Sequence, residues 1–119
     1  MMLITKEIRE KLLRNGKLRL ECQLNGRDEP DFLPVVKLFT PDAGCTWLLT
    51  ELDPEEPDIL FGLCDLGVGC PELGTVSIAE LESVRGRLGL PVERDLYFNP
   101  TKTLSAYADE AWEAGGIRT

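Results

Sequence analysis

Histidine is absent from the 119 residues of this sequence. Without it, neither a Ser-His nor a Cys-His catalytic pair can form within one chain. Four cysteines are present, but none belongs to a Cys-x-x-Cys pair, and the nearest two, Cys64 and Cys70, are too far apart for a zinc knuckle. The sequence therefore lacks the residues of most hydrolases and of most histidine-containing metal sites, and we expect no cofactor.

Long apolar runs are also missing, since no stretch approaches the ~20 residues of a membrane span. The first 13 residues mix five charged side chains among apolar ones, unlike a signal peptide. We therefore expect a cytoplasmic protein with reduced thiols and no membrane partner. With 43% hydrophobic and 29% charged residues, the composition is that of a soluble chain that builds its own core. It predicts a single domain over residues 1–119.

Positive charge is scarce, with 13 Lys and Arg against 21 Asp and Glu, a net charge of −8. Residues 1–27 carry a net charge of +4, residues 28–72 one of −10 and residues 73–119 one of −2. This balance argues against direct nucleic-acid binding, which needs a basic surface. It suggests a polarised surface that can attract a charged partner, although acidic loops also serve solubility alone.

The N-terminal third predicts one helix and one extended segment. Thr5 is a plausible N-cap for a helix that runs to Arg14, and the following Asn15-Gly16 predicts its end. Leucine or cysteine then alternates with polar residues over 18–24, which is the period of a half-buried strand or extended arm.

The middle of the chain predicts an antiparallel hairpin. Residues 35–39 and 45–52 favour strands, and Thr40-Pro41-Asp42-Ala43-Gly44 between them favours a tight turn, with Asp42 bonded to the local backbone. A third strand is predicted over 59–64 and a short fourth one over 75–77.

Two further helices are predicted after the strands. Ser77 and Glu80 fit a capping box that opens a short helix, and Thr103 or Ser105 caps a C-terminal helix. Residues 92–98 are ambiguous between strand and loop. The pattern predicts an α+β domain with a mainly antiparallel sheet of about four strands, an N-terminal helix, a short middle helix and a C-terminal helix.

Carboxylates near predicted strand ends are the first candidates for a site. Glu51, Asp53 and Asp65 could hold a divalent metal, because hard cations bind oxygen ligands. The alternative is a solvated acidic loop. Trp112 on the last helix is either part of the core or an exposed anchor for a partner.

Several strings resemble a known family. They are residues 34–44 (PVVKLFTPDAG), 46–54 (TWLLTELDP), 61–67 (FGLCDLG), 71–74 (PELG) and 88–96 (LGLPVERDL). They are similar to a family of small uncharacterised bacterial proteins, a domain of unknown function found in genomes, plasmids and mobile elements. The resemblance covers nearly the whole chain and implies a bacterial cytoplasmic setting, but it transfers no activity, cofactor or catalytic residue.

The charge layout and the missing motifs favour a non-enzymatic interaction protein with a protein partner. A sharper version is an inhibitor whose carboxylates imitate the charge of nucleic acid. Besides Trp112, its predicted contact residues are Asp28, Glu29, Asp31, Asp53, Glu55, Glu56 and Asp58. The alternatives are a metal-dependent enzyme that uses Glu51, Asp53 and Asp65, and a homodimeric module paired through a free sheet edge.

Overall fold

A computed structural model describes residues 2–119, which form three helices and one five-stranded sheet. The elements are α1 (Lys6–Leu24), β1 (Val36–Phe39), β2 (Thr46–Leu52), β3 (Ile59–Asp65), β4 (Glu72–Ser77), α2 (Ile78–Ser83), β5 (Glu93–Arg94) and α3 (Leu104–Ala114). The predicted α+β fold is confirmed, with one strand more than expected.

The strands lie in the order β4-β3-β2-β1-β5, and every neighbouring pair is antiparallel. The predicted hairpin is confirmed: β1 and β2 pair from Val36 opposite Leu49 to Phe39 opposite Thr46. The additional strand comes from the ambiguous segment 92–98, where β5 pairs with β1 at the sheet edge.

Helices cover both faces of the sheet. One core cluster joins Leu12 of α1 and Leu81 of α2 to Leu49 on the first face. A second cluster joins Ala108 and other residues of α3 to the opposite face. Burying both faces explains why β2 is apolar on both sides, with Leu48 in the second cluster and Leu49 in the first. Among residues 2–119, no helix combines the length and the apolar character that crossing a membrane would require.

The predicted end of the first helix at Asn15-Gly16 is wrong, because α1 continues without interruption to Leu24. The Asn15 side chain donates a 2.9 Å hydrogen bond to the carbonyl of Thr50. A Cβ atom on Gly16 would lie 1.8 Å from the carbonyl oxygen of Leu52. The Asn-Gly pair thus marks the place where the helix backbone lies directly against the sheet, and not a helix stop.

The predicted strand or extended arm over residues 18–24 is wrong for the same reason. In the helix, Leu18 and Leu24 face solvent and Cys22 is buried. The alternation of apolar and polar residues over 18–24 therefore does not correspond to the buried face of a strand. Tertiary contact of the Asn15-Gly16 turn with β2 keeps this stretch helical despite the glycine.

The tight turn at 40–44 forms, but its aspartate does not act locally. Asp42 Oδ2 accepts hydrogen bonds from the amides of Leu88, at 2.6 Å, and Leu90, at 3.2 Å. The turn therefore holds the 85–91 segment against the end of the first hairpin. The Ser77 cap is confirmed, since its Oγ accepts from the amide of Glu80 at 2.8 Å.

We expect Gly16→Ala to lower the free energy of unfolding by about 1–3 kcal/mol, because the added methyl group would overlap the Leu52 carbonyl. In an exposed helix the same change would stabilise the protein. Urea denaturation measures the difference. Gly74→Ala is the matched control, since a Cβ atom there meets nothing within 4 Å. Equal or higher stability of Gly16→Ala would contradict the close contact.

Candidate functional site

A cleft of about 470 Å³ opens at the end of the sheet where β2 ends and β3 begins. The second half of α1, the β2–β3 connection and Glu29 form its walls. Its lining includes four carboxylates and one cation, Arg19; the carboxylates are those of Glu29, Glu51, Asp53 and Glu55. We call this feature the acidic cleft.

Arg19 binds two of these carboxylates at once. Its Nε lies 2.5 Å from Oε2 of Glu51, and its Nη1 lies 3.0 Å from Oε1 of Glu29. Nη2 donates to the carbonyl of Pro30 at 3.2 Å. The guanidinium also lies 5.7 Å from the ring centre of Phe32 and 5.6 Å from that of Phe61. Both distances fall within the range of a cation–π contact.

A β-bulge sets the direction of Glu51. The register between β2 and β3 shifts between Leu49 and Glu51, so that Thr50 is the additional residue. Glu51 then stands opposite Phe61, which packs on the α3 side of the sheet. Without the bulge, strict alternation would turn Glu51 toward the α1 side. Arg19 belongs to α1, but its guanidinium contacts the Phe61 ring and therefore lies on the same side as Phe61, where the bulge places the buried carboxylate.

Arg19 and Gln23 also belong to this site and were not predicted from the sequence. Asn15, Arg19 and Gln23 follow each other at intervals of four, which places them on one helix face. All three contact the sheet or the loop after α1: Gln23 donates to Oε1 of Glu29 at 2.7 Å. The spacing of these three polar residues indicates one face of a helix, but residues 18–24 were predicted to be a strand or extended arm, so this pattern was not used.

The ion pairs shift the titration of their members. The hydrogen bond from Arg19, followed by that from Gln23, lowers the pKa of the Glu29 carboxyl. Burial alone would lower the pKa of Arg19, but its bonds to Glu51 and Glu29 raise it. Because folding lowers the pKa of Glu29, this contact stabilises the folded state at pH values above the pKa that the carboxyl has in the unfolded chain. The contribution is lost as the pH falls through the folded-state pKa.

Asp31 has a structural partner outside the cleft. Its Oδ1 accepts from the amide of Ser105 at 3.1 Å, and its other oxygen accepts from the Ser105 hydroxyl. Desolvation opposes the charge on Asp31, but these bonds outweigh it and lower its pKa. Thr103 occupies the N-cap position of α3 without a side-chain capping bond. Asp31 therefore caps this helix from a distant part of the chain, a role for which the sequence analysis named Thr103 or Ser105.

The remaining predicted contact residues lie around the same end of the sheet. Glu56 and Asp58 line a neighbouring hollow together with Arg9, and Asp28 is exposed next to Glu29. Asp53 Oδ1 accepts from the amide of Glu55 at 2.9 Å. The connections 25–35 and 53–58 thus carry seven of the eight predicted contact residues, and both connections contribute to the lining of the acidic cleft. We call residues 28–31 and 53–58 the acidic end.

The carboxylates of the alternative metal site do not come together. Asp65 stands opposite Thr46, at the other end of β2 from Glu51, about 17 Å away at the usual rise per residue. Its oxygens accept from the amides of Gly67, at 2.8 Å, and Ile117, at 2.9 Å. Within residues 2–119, no three histidine, cysteine or acidic side chains form a group that could hold a metal ion.

Trp112 also lies away from the acidic cleft. Its Nε1 donates to the carbonyl of Pro71 at 2.7 Å, which places it beside the β3–β4 connection. The residue is 53% exposed. It is therefore neither buried in the core nor part of the acidic end.

We expect Arg19→Met to lower the free energy of unfolding by about 2 kcal/mol or more, because Glu51 would be left without its cation. The Glu51 side chain is only 6% exposed, whereas that of Arg19 is 24% exposed and partly hydrated. Chemical denaturation measures the change. Arg14→Met, on the exposed face of the same helix, is the matched control and should stay within about 0.5 kcal/mol of the wild type. Similar stabilities of the two variants would contradict the role of the ion pair.

Comparison with curated proteins finds no match, and comparison with solved structures finds none either. A family of unknown function does match, which confirms that part of the resemblance noted from the sequence; the bacterial and mobile-element origin stays a prediction. The match extends over residues 3–118, from the residue that precedes the α1 cap by two positions to the penultimate residue of the chain. The chain therefore belongs to the family described as "Protein of unknown function (DUF2958)".

Proposed function

We propose that this protein is a non-enzymatic interaction protein whose acidic end binds a basic surface on a protein partner. The observation that carries the proposal is the convergence of two acidic loops on one end of the sheet, around a cleft with four carboxylates and one cation. That cation, Arg19, already forms ion pairs with Glu29 and Glu51. The cleft therefore presents excess negative charge to a ligand.

The connection 53–58 supports the proposal most directly. Its four carboxylates are exposed, and none forms an ion pair among the residues that the structure describes. Solvated carboxylates of this kind attract cations over roughly a Debye length and lose that attraction in salt. Lysine and arginine side chains of a partner are the matching groups, since ion pairs to carboxylates are the strongest hydrogen bonds that such surfaces offer.

The finer proposal is that the basic surface is the nucleic-acid-binding site of the partner. Such sites concentrate lysine and arginine so that they can neutralise phosphates. A protein that presents several unpaired carboxylates from a short segment can occupy the same surface and exclude the nucleic acid. The acidic protein would then act as an inhibitor without contacting nucleic acid itself.

The test uses three baits for affinity capture from a lysate of the source cells at about 50 mM salt. They are the wild type, a triple variant of the acidic end (Glu55→Gln, Glu56→Gln, Asp58→Asn) and a control (Glu10→Gln, Asp109→Asn, Glu113→Gln). Both variants carry the same net charge, and all six positions are exposed. We expect wild type and control to retain one basic protein that the acidic-end variant loses.

Added salt tests whether the capture depends on charge, and added nucleic acid tests the inhibitor version. Raising the salt to about 500 mM should release the partner, and duplex DNA should compete with the wild-type bait if the finer proposal holds. Equal capture by the two triple variants, or no partner at low salt, would contradict the proposed function. Capture that is lost with the acidic-end variant but insensitive to DNA would contradict the inhibitor version alone.

A further inference from the structure

The outer edge of β4 is an open strand edge. β4 lies at the end of the sheet and pairs only with β3 among the described residues. Natural proteins usually protect such edges with lysine, proline or a bulge. β4 has the sequence ELGTVS, contains neither lysine nor proline, and pairs with β3 in an unbroken register.

The hydrogen-bond pattern identifies which groups point outward. The backbone N–H of Asp53 donates to the carbonyl of Ile59 at 2.9 Å, which shows that the backbone groups of Ile59 point toward β2. Backbone groups alternate along an antiparallel strand, so Leu60, Gly62 and Cys64 turn toward β4. Their partners there are Val76, Gly74 and Glu72. The backbone groups of Leu73 and Thr75 and the N–H of Ser77 therefore point away from the sheet and lack a strand partner.

Apolar side chains flank this edge. Leu73 stands opposite Leu63 of the α3-side core but remains 39% exposed. Trp112 lies near the start of β4, through its bond to Pro71, and is half exposed. The β3–β4 connection adds the exposed Leu66 and Val68. The edge thus combines unpaired backbone groups with apolar surface, which is the chemistry that accepts another strand.

We propose that β4 pairs with β4 of a second copy of this chain, antiparallel about a two-fold axis at Thr75. This arrangement places Thr75 opposite Thr75 of the second copy and Leu73 opposite Ser77, so that it uses all three outward residues. Glu72 then faces Ile78, and no two carboxylates meet. Centring the pair on Leu73 would bring Pro71, which has no N–H, opposite Thr75. The edge is therefore complementary to itself in this register, the one that engages all three outward residues.

Charge on the neighbouring cleft predicts how the dimer responds to salt. Thr75 also lines the acidic cleft, so pairing brings the two acidic clefts toward each other across the axis. Their repulsion is screened as salt rises, and the dimer should tighten. Binding of a basic partner should weaken under the same conditions. This opposite response separates the dimer from the proposed function, on which it does not depend.

Sedimentation equilibrium from roughly 1 µM to 0.5 mM tests the pairing with substitutions at Thr75. Thr75→Pro removes the outward N–H and leaves the bonds to β3 in place, so it should be monomeric. Thr75→Glu places two like charges opposite each other and should also be monomeric. If circular dichroism shows that the proline variant does not fold, the glutamate variant alone tests the pairing. Thr75→Val keeps the N–H and the branched shape and is the matched control.

The expected result is a dimer for the wild type and Thr75→Val that dissociates less at higher salt, with monomers for the proline and glutamate variants. A monomeric wild type over the whole range would overturn the proposal. So would a dimer that persists in both disruptive variants, or one that Thr75→Val abolishes.

Discussion

The arrangement of the acidic end depends on the contacts that the Arg19 guanidinium makes. The guanidinium joins α1 to the buried Glu51 of β2 and to the loop after α1, through Glu29 and the carbonyl of Pro30. The rings of Phe32 and Phe61 lie within cation–π distance of it. A buried carboxylate is costly without such a partner. The same contact that satisfies Glu51 therefore fixes the loop that carries the first group of acidic residues.

Apart from the exposed Asp28 and Glu72, the acidic residues of segment 28–72 divide into two groups with different tasks. Glu29, Asp31, Asp42, Glu51 and Asp65 bind cations or amides of this chain and connect distant segments. The carboxylates of residues 53–58 form no ion pairs among the described residues and face solvent. The net charge of the segment is thus partly structural, and the part left for recognition is concentrated in one connection. Proposed partner binding and proposed dimerisation use adjoining surfaces of the same molecule, the acidic end and the β4 edge.

The sequence predicted the elements whose signals are local. The strand pairing across the 40–44 turn and the Ser77 cap depend on signals within a few residues, and both form as expected. The helix stop at Gly16 failed because that glycine serves a tertiary contact with Leu52, which no local pattern reveals. The site was half predicted: its carboxylates were named, but Arg19 and the bulge at Thr50 depend on how α1 meets β2.

Amide hydrogen exchange in the Arg19→Met variant measures whether Arg19 orders the loop between α1 and β1. The amide of Leu104 donates to the carbonyl of Phe32, and that of Ser105 donates to Asp31, so both report on the loop that Arg19 holds. If Arg19 orders this loop, these two amides should lose more protection in the variant than those of Leu48 and Leu63 in the central strands, whose loss reports only the lower global stability. A loss at Leu104 and Ser105 no larger than that at Leu48 and Leu63 would show that the loop is ordered without Arg19.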